Sequence, residues 1–514
     1  MFPFIYFNSG YAGAGGAIGS QALAGFNSWS STATVDLATR MVLVSRARQL
    51  YISSPSASAI IDRFTAGIVG SGIKYQPSET TELLSDYMYP EMVDFIKKQF
   101  AIASETHQLD AQKQQTFSMM QELACRNWLL SGDVFFIRRQ KDGKSSWRSI
   151  ESDRVMTPYY CAVKDSYNNY ECYNPSNGNR IIDGVELDSD AVPVAYWVTK
   201  DYIAKPFTVQ EDQIERIPAF DDDGLPIVLH IYKRLRPDQY RGVPLIANLI
   251  EALHSRKNYA QAELQAAQLQ AAVFGFVSSN HPVMDETEPL PSRELDRPIP
   301  IAPVTKDTPA DAPTMQLDTE YKKEQDLEAW YNREFPQPKT VSAGQIVHLG
   351  ENEDIRFLQA SHPNVNYGAF MSALDRDLSA GVGLPHKVMT SDYDGSFSAC
   401  RAAIREAAEL FTNYRSYFIA SFVKPLFEQF CIDVLDGYVD DPIYVAKCLS
   451  IESQWKQPQP IVLDPRVEIE SYKIAIELGL IDRDEAAINL FQHKATGKPE
   501  TETETVEVKR EIQE

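Results

Sequence analysis

The chain has 514 residues, of which 44% are hydrophobic and 23% charged, with a formal net charge of −22. Such a composition excludes a disordered chain, and the length predicts about two to four subdomains rather than one core. The acidity excludes a protein that grips DNA through clustered Lys and Arg; its simplest reading is solubility, with a surface that does not stick to nucleic acid.

The six cysteines (Cys125, Cys161, Cys172, Cys400, Cys431, Cys448) are widely spaced with no CxxC, which predicts reduced thiols and assembly in a cytoplasm. MFPFIYFNSG carries no basic region, so no signal peptide is expected there. No run of about eighteen apolar residues occurs, so no membrane span is expected.

Residues 8–34 are rich in Gly, Ala and Ser and read as a flexible arm. The GAGGAIG stretch fails as a dinucleotide fingerprint, because no strand precedes it and no clear amphipathic helix follows. Ser54-Pro55 predicts a capped helix start, and Ala57, Ile60, Ile61, Phe64 and Ile68 form its apolar stripe. Gly70-Ser71-Gly72 ends it before a short strand at Ile73–Gln76. QTFSMMQELACRNWLL predicts a helix, followed by Ser131-Gly132 and the strand DVFFIRRQ. Gly143-Lys144-Ser145 resembles the end of a P-loop, but Arg138 stands where the cradle needs glycine. KDGKSS therefore reads as a hairpin turn. AVPVAYWVTK and PIVLHIYKR read as strands.

Residues 243–277 predict one long helix, with Ile246, Leu249, Ile250, Leu253, Ala260, Leu264, Ala267, Ala271 and Phe274 near one face. Its small residues suit either an ordinary core helix or close packing between copies. Ten prolines then fall between Pro282 and Pro338, which predicts an insertion that is part extended and part short helix, at QDLEAWYNREF. The segment is either a proline-rich linker or a small, irregular docking module.

Tyr367, Phe370, Met371, Leu374 and Leu378 mark a helix, and Ile404, Ala408, Phe411, Tyr414 and Phe418 another. Between them a loop of about fifteen residues holds His386, Lys387, Ser391, Asp392, Tyr393 and Asp394; loops of that length inside a domain are more often functional. Pro425 predicts a kink in the following helix. VEIESYKIAIELGLIDRDEAAINLFQHKATGK reads as a helical hairpin, with Gly479 ending its first arm and Asp482 and Glu485 starting the next. The last residues, 497–514, are charged and low in complexity, and are expected to be disordered.

No feature commits the chain to catalysis. The eight histidines form no HExxH or Cys/His pair, GxSxG is absent, and Asp375 and Asp377 face different sides of a helix. Asp221-Asp222-Asp223-Gly224 lacks the calcium-loop pattern. No metal and no cofactor is expected.

Five stretches, in order, resemble phage portal proteins of the lambda type. These are YISSPSASAIIDRFTAGIVGSGIKYQP, QTFSMMQELACRNWLLSGDVFFIRR, HIYKRLRPDQYRGVPLIANLI, FMSALDRDLSAGVGLPHKVMTSDY with FSACRAAIREAAELF, and IESYKIAIELGLIDRDEAA. The resemblance covers about two thirds of the chain and is poorest over 278–345.

It implies an α+β fold of portal type. Residues 1–34 would be an arm, 35–240 a mixed α/β wing, 241–277 a stem helix and 278–345 a clip-like insertion. Residues 346–381 would give a strand and second stem helix, 382–397 a tunnel loop and 398–440 a long kinked wing helix. Residues 441–496 would form wing and crown helices, and 497–514 a tail.

The implied function is a ring of about twelve copies at one capsid vertex, serving genome packaging, retention, tail attachment and ejection. Its partners would be the terminase large subunit, the major capsid protein, head–tail adaptors and double-stranded DNA passing without sequence specificity; no membrane is involved. On this reading His386, Lys387, Ser391, Asp392, Tyr393 and Asp394 line the channel. Ala260, Leu264, Ala267 and Ala271 pack subunits together. Pro289, Pro291, Pro298 and Pro300 stiffen a motor-docking module. The competing readings are another ring-forming neck or tail adaptor, and an enzyme of unfamiliar type.

Overall fold

The computed structural model describes residues 37–76, 90–164, 170–201, 211–272, 276–279, 353–356, 366–456 and 465–481, with 483, 486 and 487. The chain divides into two compact units: Met1–Gln261 with Asn366–Glu514, and Ala262–Val365. The architecture is α+β.

The first unit opens with α1 (Leu37–Ser53) and α2 (Pro55–Ile68). Every residue of the expected α2 stripe, from Ala57 to Ile68, is buried. Ser54 separates the helices, but its side chain makes no capping bond. β1 (Lys74–Gln76) follows, then α3 (Pro90–Glu105) and α4 (Phe117–Ser131).

Gly132, at φ +86°, turns α4 directly into β2 (Asp133–Lys141). β2 pairs antiparallel with β3 (Lys144–Ile150) and with β10 (Val228–Tyr232), at registers Phe135↔Ile150 and Phe135↔His230. The hairpin β2–β3 closes through Asp142 and Gly143, both with positive φ (54° and 71°), the geometry of a type I′ turn.

Val134, Phe135, Phe136 and Ile137 are buried in succession because both faces of β2 are covered. Val134 and Phe136 enter the main helical core, while Phe135 and Ile137 enter a second core with Tyr196 and Ile217. That second core underlies an antiparallel sheet of β6 (Arg180–Ile182), β7 (Val185–Leu187), β8 (Pro193–Thr199) and β9 (Ile214–Pro218). β4 (Ala162–Lys164) and β5 (Tyr170–Cys172) form a separate pair.

A 3-10 turn at Ala247–Leu249 leads into α5 (Ile250–Ala272). Later in the chain come α6 (Tyr367–Val382), α7 (His386–Thr390), α8 (Phe397–Phe418) and α9 (Lys424–Leu435). Between α8 and α9 lies a π turn, Ile419–Val423. Pro425 has no N–H and its ring crowds the carbonyl four residues back, so the wider turn absorbs the misfit without ending the helical path. α10 (Pro442–Glu452) and β13 (Gln454–Lys456) follow, and β13 pairs with β1 at Tyr75↔Trp455. α11 (Pro465–Glu477) ends at Gly479 (φ +68°), whose N–H donates to Ile476 while Leu480 N–H donates to Ala475.

The main core is rich in aromatic contacts. Trp128 stacks on Tyr417 and Phe418 at 5.5 and 6.2 Å, and Phe100 meets Phe117, Phe427 and Phe430 edge-on at 5.0–5.5 Å.

In the second unit, β11 (Phe276–Ser279) pairs antiparallel with β12 (Glu353–Arg356). This corrects the expected helix over 243–277. The α-helix starts only at Ile250, and Phe276-Val277 is strand, where β-favouring side chains follow Gly275. Apart from Ser278 and Ser279, the segment 278–345 lies outside the described residues, as do 1–34 and 497–514.

Candidate functional site

The segment between α6 and α8 is not structureless. α6 ends in a Schellman arrangement: Gly383 is left-handed (φ 71°), its N–H donates to Ala380 O, and Leu384 N–H donates to Ser379 O at 3.0 Å. Leu384 is buried beneath this turn. Pro385 O then accepts from Val388 N and Met389 N at 3.0 and 2.9 Å, starting the five-residue α7. Met389 anchors α7 in the core, with the Ser379 hydroxyl 3.3 Å from its sulfur.

Ser391 leaves α7 in the left-handed region at φ 57°, a conformation that costs a non-glycine residue energy. Arg63 of α2 meets it there. One guanidinium nitrogen donates to Val388 O, an end carbonyl of α7, and another donates to Ser391 Oγ at 2.7 Å. The turn continues through an Asx contact, Asp394 N–H to Asp392 Oδ1 at 3.2 Å, and Gly395 at φ +114°. Ser396 caps α8 by accepting from Ala399 N–H.

Lys387 does not project. Its ammonium donates to Asp394 O and lies 3.8 Å from Cys400 Sγ, while the Cys400 thiol donates to Tyr393 O at 3.1 Å. His386 is half-buried, whereas Ser391, Asp392, Tyr393 and Asp394 are exposed.

α5 and α6 are joined by a two-pronged ion pair: Arg256 Nε and Nη2 donate to the Asp375 carboxylate at 2.7 and 3.2 Å. Asn248 Nδ2 adds a bond to Gly381 O at 3.0 Å. Gly381 packs so closely on Leu249 that a Cβ there would overlap it. Along α5, Ala260 is half-buried, while Leu264 is 59% exposed and Ala267 is exposed. Ala271 lies in the last turn of the helix.

A buried charge network fixes the chain just before α5. Arg241 donates from Nε to Asp133 at 2.6 Å, and from its other nitrogens to Val155 O, Asp183 O and Ser152 O at 2.6–2.8 Å. Gly242 N–H also donates to Asp133, at 3.1 Å. Arg40 completes the network by donating to Ser152 Oγ at 2.9 Å and to Asp183 at 3.1 Å. Burial alone would push the Asp133 carboxyl up, but Arg241, His230 and Arg40 together hold it well below the usual range. Burial pulls the neighbouring His230 imidazole down to about 4, against the opposite pull of Asp133. Gly242 backs onto Gly132 with no room for a side chain on either.

The structure thus gathers the six loop residues into one folded turn, and places the small residues of α5 on a separate helix. Pro289, Pro291, Pro298 and Pro300 lie outside the described residues. The sequence reading missed Arg63, Arg256 and Arg241, whose side-chain partners Ser391, Asp375 and Asp133 stand 328, 119 and 108 positions away. No local sequence pattern marks these distant pairings. Among the described residues no group of three or more His, Cys, Asp or Glu is placed to hold a metal ion, and no helix is long and apolar enough to cross a membrane.

The sequence profile described as phage portal protein, lambda family, matches residues 20–415. A probable portal protein of Halomonas phage phiHAP-1 is 23% identical over 412 residues, covering 77% of this chain and 68% of the relative. A portal protein of Escherichia phage N15 is 22% identical over 443 residues, covering 80% and 72%. Among solved structures, a chain from the neck of a native gene transfer agent particle is similar with TM-score 0.43 and 13% identity, covering 90% of this chain and 95% of that one. A chain from the neck of the empty particle gives TM-score 0.43 at 14% identity, covering 87% and 93%. With the lambda-family profile spanning well over half its length, the chain belongs to the lambda family of phage portal proteins.

Proposed function

We propose that this portal protein assembles into a closed ring of about twelve copies. The ring surrounds a channel that admits DNA during packaging, holds it, and releases it when the tail is joined. The observation that carries this reading is the family match over residues 20–415. Its partners on this reading are the terminase large subunit, the major capsid protein, head–tail adaptors and double-stranded DNA. The ATPase belongs to the motor, and this chain is a conduit rather than an enzyme. It acts in the virion, having assembled in the host cytoplasm.

Three features support the reading. The net charge of −22 suits a wall along which DNA slides, since strong phosphate contacts would retard it. Leu264 and Ala267 present an apolar, small-residue strip on α5 that the subunit itself leaves exposed, as contact between copies requires. The α6–α8 turn carries one lysine, Lys387, with Asp392 and Asp394 following in the same turn, so a ring would contain a single thin band of lysines there. The proline-rich segment 278–345 would dock the motor.

Negative-stain images of the purified full-length protein test the assembly. Rings with a central hole are expected; small compact particles at all salt concentrations would reject the reading. Deleting Pro289–Pro303 should leave rings intact and weaken motor binding in a pull-down.

A further inference from the structure

Among the described residues, Arg63 of α2 is the side chain that hydrogen-bonds the α6–α8 turn from a distant part of the chain. Arg63, on α2, reaches across 328 positions of sequence to donate to Ser391 Oγ at 2.7 Å, and its other arm donates to Val388 O. These bonds satisfy an orphan carbonyl at the C-terminal end of α7 and fix the hydroxyl of a residue in the left-handed region. The reversal at Ser391 is what returns the chain so that Asp394 O meets Lys387 seven residues back. The grip is also incomplete, because Arg63 Nε is buried with no hydrogen-bond partner among the described residues. Closing the turn therefore depends on a contact that is specific but opposed by an unsatisfied donor and a strained backbone.

We propose that Arg63 is a latch, a positioning residue that holds the 386–396 turn closed with Lys387 engaged on its own backbone. Contact between Lys387 and a phosphate backbone requires this latch to open. The inference rests on the channel reading above and adds its regulation: the lysine band is withheld in the closed subunit and presented when α7 parts from α2.

Trypsin supplies a direct readout, since it cuts after Lys387 only when that backbone is accessible. In full-length Arg63→Gln, cleavage at Lys387–Val388 and amide exchange of the 386–396 peptide should both rise by about tenfold. That corresponds to losing one charge-assisted hydrogen bond. Ser391→Val reaches the same state without touching α2, because a β-branched residue resists positive φ; it should open the turn to a similar extent. Ser391→Gly in the Arg63→Gln background should bring cleavage back towards wild type, since glycine takes the left-handed turn without help. A general structural defect from Arg63→Gln would not be repaired this way.

If Arg63→Gln and Ser391→Val both leave cleavage and exchange at wild-type rates, the latch is overturned. Retention of packaged DNA separates the two layers. A change in retention in Arg63→Gln particles, abolished by adding Lys387→Ala, is the expected result. An opened turn with unchanged retention overturns the channel role on which the latch's purpose depends.

Discussion

Arg241 stands within the buried charge network just before α5. It is almost fully buried, with the carboxylates of Asp133 at 2.6 Å and Asp183 at 3.3 Å beside its guanidinium, and backbone carbonyls of Val155, Asp183 and Ser152 accepting from it as well. Arg241→Met would leave Asp133 buried without its closest cationic partner, so a loss of about 3–5 kcal/mol in urea unfolding is expected. His230 gives a pH signature in the same place. Its ring lies between Phe135 and Tyr232, each at 4.1 Å, and stays neutral down to about pH 4, whereas in the unfolded chain it takes a proton near 6.5. The unfolded state therefore binds more protons between those values. Stability is unaffected above pH 6.5 and falls as pH drops from 6.5 towards 4, by up to about 3 kcal/mol. His230→Phe keeps the stack and cannot titrate, so its urea midpoint should lose less than the wild type's across that window; identical pH curves would show that His230 is not the group responsible. Nothing near Arg241 or His230 in the sequence announces this network, because it is closed by residues from four separate stretches of chain.

At the scale of elements, apolar spacing was a full guide to the buried face of α2 and a partial one to α6, where Met371 and Leu378 are buried but Phe370 is exposed. The stripe of α2 is seated in the main core, where Phe64 meets Phe411 and Tyr414 of α8 edge-on at 5.5 and 5.4 Å; of the expected α8 stripe only Phe418 is buried, while Ile404 and Ala408 are half-buried beside the buried Ala403 and Ala407. α3 carried the same signal in Ile96, Phe100 and Ala103, all buried, and Pro90 at its start, yet a reading led by glycine and proline punctuation passed over it. α1 was harder, since Val42 and Ile52 face outward while Arg40 is buried, which inverts the usual pattern. The α6–α8 turn read as loop because five-residue α7 is too short to show periodicity. Close approach between elements is also invisible in sequence. Gly67 lets α2 lie against the Phe411 ring of α8, and a methyl group there would overlap that ring. Gly67→Ala should cost about 1–3 kcal/mol despite alanine's preference for helix, which is worth about 1 kcal/mol. Combining it with Phe411→Leu should be less harmful than the two losses added together, and simple additivity would show that the two positions do not press on each other.

For the whole molecule, the decisive question is whether surfaces left bare by the subunit are covered in an assembly. The second half of α5 is the sharpest place to ask it. Over Ala260–Ala271 the sequence alternates small and polar residues, Leu264 is 59% exposed, and Ala267 is exposed as well. Position 267 is exposed and glutamate is a good helix former, so Ala267→Glu should leave the subunit's thermal unfolding within about 0.5 kcal/mol of wild type. In the proposed ring the same position would face a neighbouring copy of a chain that already carries a net charge of −22. There the glutamate adds both bulk at a close contact and a further like charge, and each disfavours association. Ala267→Glu should therefore shift mass photometry from rings to single subunits, and Ala267→Ser, small and neutral, should not. Raising salt screens the charge but not the bulk, since the Debye length shrinks from about 10 Å at 0.1 M to 3 Å at 1 M. Partial recovery of rings at high salt would divide the defect between repulsion and overlap. Rings of normal size and abundance from Ala267→Glu at low salt would remove this strip of α5 from the subunit interface.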